Sequence, residues 1–276
     1  MNDDWTIPQD WAHFTPQDHG VWDTLFARQA AMLPGRASQA FLDGLDVLHL
    51  SKPGIPDFAE LSERLMALTG WTVVAVPGLV PDDVFFTHLA NRRFPAGNFI
   101  RRPDQLDYIQ EPDVFHDVFG HVPMLSHPVF ADYLQAYGQG GLRSLGFGSL
   151  HHLARLYWYT VEFGLIREAE GLRIYGAGIV SSFGESHFAL ESDSPNRIAY
   201  GLERLMQTRY RIDDYQQSYF VVDDYAQLLR STLDTDFAPL YARLKDLPDL
   251  APADVVATDR VLTLGSQRYA LQKTNQ

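Results

Sequence analysis

Apolar side chains recur at helical spacing from Asp18 to Leu33, where Val21, Trp22, Leu25, Phe26, Ala30 and Leu33 share one face and Pro34-Gly35 closes the run. The same periodicity predicts helices over 38–49 and from Asp57 to Leu68, with Gly70 as the stop. Trp71-Thr72-Val73-Val74-Ala75-Val76 is rich in β-branched residues and ends at Pro77-Gly78, which predicts a strand. A helix from Pro81 to Ala90 follows, with proline near its start. Residues 91–111, rich in proline and charge, read as an ordered loop, and long loops in compact domains are often functional.

Helical patterning resumes at 112–119, 128–137 and 149–169, interrupted by Pro123 and by the Gly138 to Gly148 stretch. Strand-like pieces at 172–175 and 218–222 alternate with helices predicted over 196–207 and 223–233. There is no internal repeat and no composition shift. The expected architecture is mainly α with a few short β-strands, a single domain over 1–276 with its core at about 50–235.

Composition narrows the partners. The formal net charge of −13 and the lack of a Lys/Arg cluster argue against nucleic acid, and mean that any carboxylate substrate must be met by specific arginines. The absence of cysteine leaves His, Asp and Glu as the only strong metal ligands. The N-terminus is acidic, without a basic or apolar leader, and no stretch approaches about 18 apolar residues, so a cytoplasmic protein without a membrane partner is expected.

Two stretches carry candidate chemistry. In Glu111-Pro112-Asp113-Val114-Phe115-His116-Asp117-Val118-Phe119-Gly120-His121-Val122-Pro123, two histidines stand five apart. On an ideal α-helix that spacing separates them by about 140°, so a shared ligand demands a departure from helical geometry, expected near Gly120. Taken alone, both could be ordinary core histidines. In Tyr157-Trp158-Tyr159-Thr160-Val161-Glu162-Phe163-Gly164, however, Glu162 sits among apolar and aromatic residues, where a carboxylate is costly unless it is paired or coordinates a cation. A salt bridge to Arg155 or Arg167 would answer that need. So would a metal, since two His and one carboxylate is the facial triad of non-haem Fe(II), although the same set also serves catalytic zinc in hydrolases. A third possibility is that the three residues merely stabilise a helical binding module.

These strings, with Tyr175-Gly176-Ala177-Gly178-Ile179-Val180-Ser181-Ser182-Phe183-Gly184-Glu185 after them, resemble the tetrahydropterin-dependent aromatic amino acid hydroxylases, and among them the short bacterial phenylalanine 4-hydroxylases, over about residues 20–235. The resemblance implies Fe(II) held by His116, His121 and Glu162, and a tetrahydropterin cosubstrate contacted by Phe85, Leu79, Asp82 and Asp117, with Phe86 as the alternative to Phe85. It implies that Arg101 pairs with the substrate carboxylate, and that Tyr108, Trp158, Phe163, Gly178 and Ser181 line the substrate site. The activity implied is hydroxylation of L-phenylalanine to L-tyrosine with O₂, with tryptophan as the alternative substrate. Ile212 matches a position that is apolar in phenylalanine hydroxylases and acidic in tyrosine hydroxylases, which favours phenylalanine. Members from animals carry a regulatory domain and a tetramerisation helix for which this chain has no room, so a monomer is expected.

Overall fold

A computed structural model describes residues 2–107 and 109–274. Capping fixes the helix starts that apolar periodicity leaves open. Thr15 accepts from the Asp18 backbone while the Asp18 carboxylate accepts from Thr15, and Pro16 opens the helix Pro16–Met32. Ser38 caps Gln39–Val47, and Asp57 caps Phe58–Thr69, which ends at Gly70 in the left-handed region with φ 75°.

Strand β1 (Thr72–Val76) pairs in parallel with β2 (Arg93–Gly97), in register from Thr72↔Arg93 to Val76↔Gly97. Between them lies the helix Asp82–Ala90. β2 falls in the segment expected to be a loop. Its Pro95 is a poor strand signal, but the pair has only two strands, so both are edges, where proline is tolerated.

Residues 149–169, expected as one helix, divide into the helix Leu150–Tyr157, a π-helical turn Trp158–Glu162 and strand β3 (Leu165–Glu168). β4 (Gly171–Ile174) returns antiparallel to β3. Residues 196–207 likewise divide into β5 (Asn196–Ala199) and the short helix Leu202–Met206. Strands β3 and β5 are each only four residues long and mix polar with apolar positions, too short to carry a period that separates strand from helix. β6 (Ser218–Val222), buried at all five positions, and β7 (Val261–Thr263) complete a mixed sheet in the order β4-β3-β6-β5-β7.

The helix Pro128–Ser144 passes straight through the glycines expected to end it. Gly141 instead leaves space for the ring of Phe86, where a Cβ would collide, and so lets Asp82–Ala90 lie against this helix. One contiguous core runs from Phe14 to Leu244 and includes Trp22, Phe115, Phe119, Tyr159 and Phe220. The fold is thus mainly helical with short strands, as the pattern predicts. Among the described residues no helix is long and apolar enough to cross a membrane.

Candidate metal centre

His116 and His121 belong to a π-helix, Phe115–His121. Its hydrogen bonds run between residues five apart, so positions that diverge on an α-helix come onto one face. The expected departure from α-geometry is therefore real, but it is a widening over seven residues rather than a break at Gly120. Gly120 instead permits a close approach. A Cβ there would lie 3.0 Å from the Ala177 carbonyl oxygen, so glycine lets the turn press against the Ala177–Val180 helix. On the opposite face Phe115 and Phe119 stack at 4.7 Å and meet Trp22, Phe26 and Phe41 edge-on. Each such buried ring contributes about 1.5–3 kcal/mol. Apolar burial holds one side of the turn and leaves the histidine side for chemistry.

Glu162 ends the second π-helical turn, closed by a hydrogen bond from the Phe163 N–H to the Trp158 carbonyl. Its Oε1 lies 3.1 Å from His121 Nε2 and its Oε2 3.5 Å from His116 Nε2, while the two Nε2 atoms are 3.3 Å apart. The three donor atoms all lie within 4.8 Å of one another, a group that could hold a metal ion. Burial opposes ionisation of Glu162, but the charges and hydrogen bonds of His121 and His116 outweigh it and hold the carboxyl well below its usual range. Burial likewise opposes a charged His116, and Glu162 overrides it, so the His116 pKa is raised. Concentrated negative potential facing two imidazole nitrogens is a demand for positive charge. One divalent cation satisfies it without two added protons.

The polar surroundings aim the donors. Ser181 Oγ donates to the Ala177 carbonyl at 2.7 Å, so it can only accept from His116 Nδ1, 3.0 Å away. That places the proton on Nδ1 and leaves Nε2 free as a ligand. His121 Nδ1 is buried with no partner among the described residues, its ring lying against Phe94 and Tyr157. Asp113, fully buried, accepts from the His116 backbone at 3.0 Å and from the Arg101 backbone at 2.9 Å. It also forms a two-pronged pair with Arg101, Nε and Nη2 each at 2.8 Å. Burial raises the Asp113 pKa, but Arg101 more than offsets this and the net shift is downward. Sequence reasoning missed Asp113, although it stands in the histidine string. The available signal was an acidic residue three positions before a ligand, where it can cap the turn.

The remaining candidates take definite places. Phe85 is half-buried and meets Tyr157 edge-on at 5.6 Å, next to His121, whereas Phe86 is buried against Tyr137. Phe85 is therefore the one on the metal side. Leu79 is exposed, and Asp82, also exposed, begins its helix. Asp117 accepts from the Gly97 N–H at 2.7 Å, tying the π-turn to β2, and burial pushes its carboxyl up to about 6. Trp158 lies between Phe163, at 4.8 Å, and Tyr210, stacked at 4.3 Å. Gly178 packs against the Phe163 ring. Arg101 keeps its Nη1 edge nearly unengaged, with only a 3.5 Å contact to the Leu106 carbonyl. Ile212 is exposed, and Tyr108 lies outside the described residues.

The salt-bridge alternative for Glu162 is not realised: Arg155 pairs with Asp249 and Arg167 with Asp223. Other histidines are engaged structurally, His152 with the Met206 carbonyl, His88 with that of Asp4 and His187 with Glu191.

Over residues 6–238 the sequence matches the family described as biopterin-dependent aromatic amino acid hydroxylase, and the chain belongs to that family. It is 64% identical to the phenylalanine-4-hydroxylase of Caulobacter vibrioides, across 97% of this chain and 90% of the relative. It is 60% identical to the phenylalanine-4-hydroxylase of Ralstonia nicotianae, across 97% and 85% of the two chains. Its fold matches the crystal structure of Chromobacterium violaceum phenylalanine hydroxylase with bound iron(III) and oxidized 7,8-dihydrobiopterin, with a TM-score of 0.91, 56% identity, and coverage of 95% of this chain and 94% of that one.

Proposed function

We propose that this protein is a phenylalanine 4-hydroxylase, converting L-phenylalanine to L-tyrosine with O₂ and a tetrahydropterin. The observation that carries the proposal is the largely enclosed His116, His121 and Glu162 group, with His116 fixed by Ser181 in the tautomer that presents Nε2. The names of its relatives favour phenylalanine over tryptophan.

His116, His121 and Glu162 would hold Fe(II), which together with the reduced pterin supplies the two-electron activation of O₂. The protein's own residues bind and orient. Arg101, held by Asp113, offers its Nη1 edge, engaged only by a 3.5 Å contact to the Leu106 carbonyl, to the amino acid carboxylate, a local cation in a chain of net charge −13. Trp158 and Phe163 lie beside the aromatic ring, and Gly178 and Ser181 bound the pocket near them. Phe85, with Leu79, Asp82 and Asp117, would hold the pterin. The packed rings exclude water from the reacting edge.

The whole chain acts as one catalytic domain, monomeric and cytoplasmic. In support of the monomer, the helix Arg268–Thr274 folds back onto its own chain through Tyr269 and Lys273, both bound to Asp214. Purified protein loaded with Fe(II) is expected to form tyrosine from phenylalanine, tetrahydropterin and O₂. No tyrosine with iron demonstrably bound, or hydrolytic turnover restored by Zn(II) alone, would overturn the proposal. Sedimentation checks the oligomeric state.

A further inference from the structure

Segment 209–216 is stapled to the π-helical turn Trp158–Glu162 at both ends. At its start the Tyr159 hydroxyl donates to the Arg209 carbonyl at 2.7 Å. At its end the Trp158 indole N–H donates to Gln216 Oε1 at 3.0 Å. Between these points Tyr210 lies flat on Trp158, with ring planes 15° apart. Consecutive residues of the turn that bears Glu162 thus fix both ends of one loop.

Gln216 is the centre of this arrangement. It is 2% exposed, and its amide hydrogens go to the carbonyls of Arg211 at 2.8 Å and Asp214 at 3.3 Å. Its backbone N–H donates to Glu185 Oε1 at 3.2 Å, an atom that also accepts from the Tyr219 hydroxyl at 2.7 Å. Gln216 lies two residues before β6, whose five residues are all buried, so the amide is presented from a rigid base. A side chain with both its acceptor and its donors engaged specifies a single orientation. Tyr210 and Phe163 fix the faces of the Trp158 ring, and the N–H bond fixes its rotation within that stack.

We infer that Gln216 is a positioning residue for substrate: by holding the Trp158 indole and the 211–215 loop together, it sets the wall against which the aromatic ring of phenylalanine is aligned. The inference rests on the proposal that Trp158 lines the phenylalanine site. It also relocates the influence of this loop, since exposed Ile212 has no part in the network, whereas Tyr210 and Gln216 do.

The test combines spectroscopy with a mutant cycle. In ¹⁵N-labelled protein the Trp158 indole N–H, assigned by its loss in Trp158→Phe, is expected to exchange slowly with solvent, and much faster in Gln216→Leu. Gln216→Leu is expected to raise KM for phenylalanine about tenfold, the loss of roughly one hydrogen bond's net worth, with a smaller change in kcat and fewer tyrosines formed per pterin consumed. In a Trp158→Phe background the same substitution should add little, because its partner is already gone. Additive effects, or a rapidly exchanging indole N–H in the unmodified protein, would overturn the inference; the second measurement stands even if Gln216→Leu does not fold. A protected indole in a protein that neither binds phenylalanine in calorimetry nor hydroxylates it would instead remove the proposed substrate and leave the Gln216 to Trp158 link intact.

Discussion

The two π-helical turns both deliver side chains to the group that could hold a metal ion, by different means. Phe115–His121 must present two histidines to one point, and polar bonds discipline it: Ser181 on His116 Nδ1, and Asp113 on the His116 backbone and Arg101. Trp158–Glu162 presents a single carboxylate, and packing around buried Tyr159, Thr160 and Val161 holds it, with the Tyr133 hydroxyl bonded to Thr160. Aiming the His116 ring fixes its tautomer and rotation, which requires directional partners, while the His121 ring is held against Phe94 and Tyr157. Aiming one flexible carboxylate requires only that its backbone be anchored. The first turn is therefore where polar substitutions should reach the metal.

The largest effect should come from removing the donor that faces both histidines. Glu162→Ala is expected to lower Fe(II) affinity by more than about 100-fold, beyond what loss of an outer partner costs, measured by anaerobic titration. Asp113→Ala should come next, because it leaves Arg101 buried and unpaired, a loss of about 3–5 kcal/mol of stability visible in urea unfolding. Near-normal stability would mean that Arg101 finds another partner, and the polar account of the first turn would fail.

Ser181→Ala separates aim from stability. Iron affinity should fall about 10–100-fold while unfolding free energy changes by no more than about 1 kcal/mol. Unchanged affinity would show that packing alone orients His116. The smallest effect belongs to the second turn: Tyr133→Phe should cost about 1 kcal/mol and leave iron affinity untouched. If Tyr133→Phe weakened iron as much as Ser181→Ala, the contrast between the turns would collapse.

Much of this was legible in the chain. Apolar stripes, with stops at Pro34-Gly35 and Gly70, marked the helices from Pro16 to Thr69, and β-branched residues marked β1, because local signals suffice there. The isolated acid in an aromatic run singled out Glu162. Less legible were β2, where Pro95 argues against a strand, and β3 and β5, each four residues long and mixing polar with apolar positions, too short to show a period.

The sequence by itself determined the ligand types and excluded thiolates, because composition decides which atoms can bind a metal at all. The spacing of His116 and His121 also announced that the ordinary helix could not serve. Only the tertiary structure decided how it was replaced. A π-turn persists only where packing on its far side, here Trp22, Phe26 and Phe41 against Phe115 and Phe119, makes up for weaker local geometry. Asp113, Ser181 and Gln216 likewise acquire their roles from neighbours 12, 65 and 58 positions away. Hydrogen bonds are directional, and direction exists only once the chain has closed on itself.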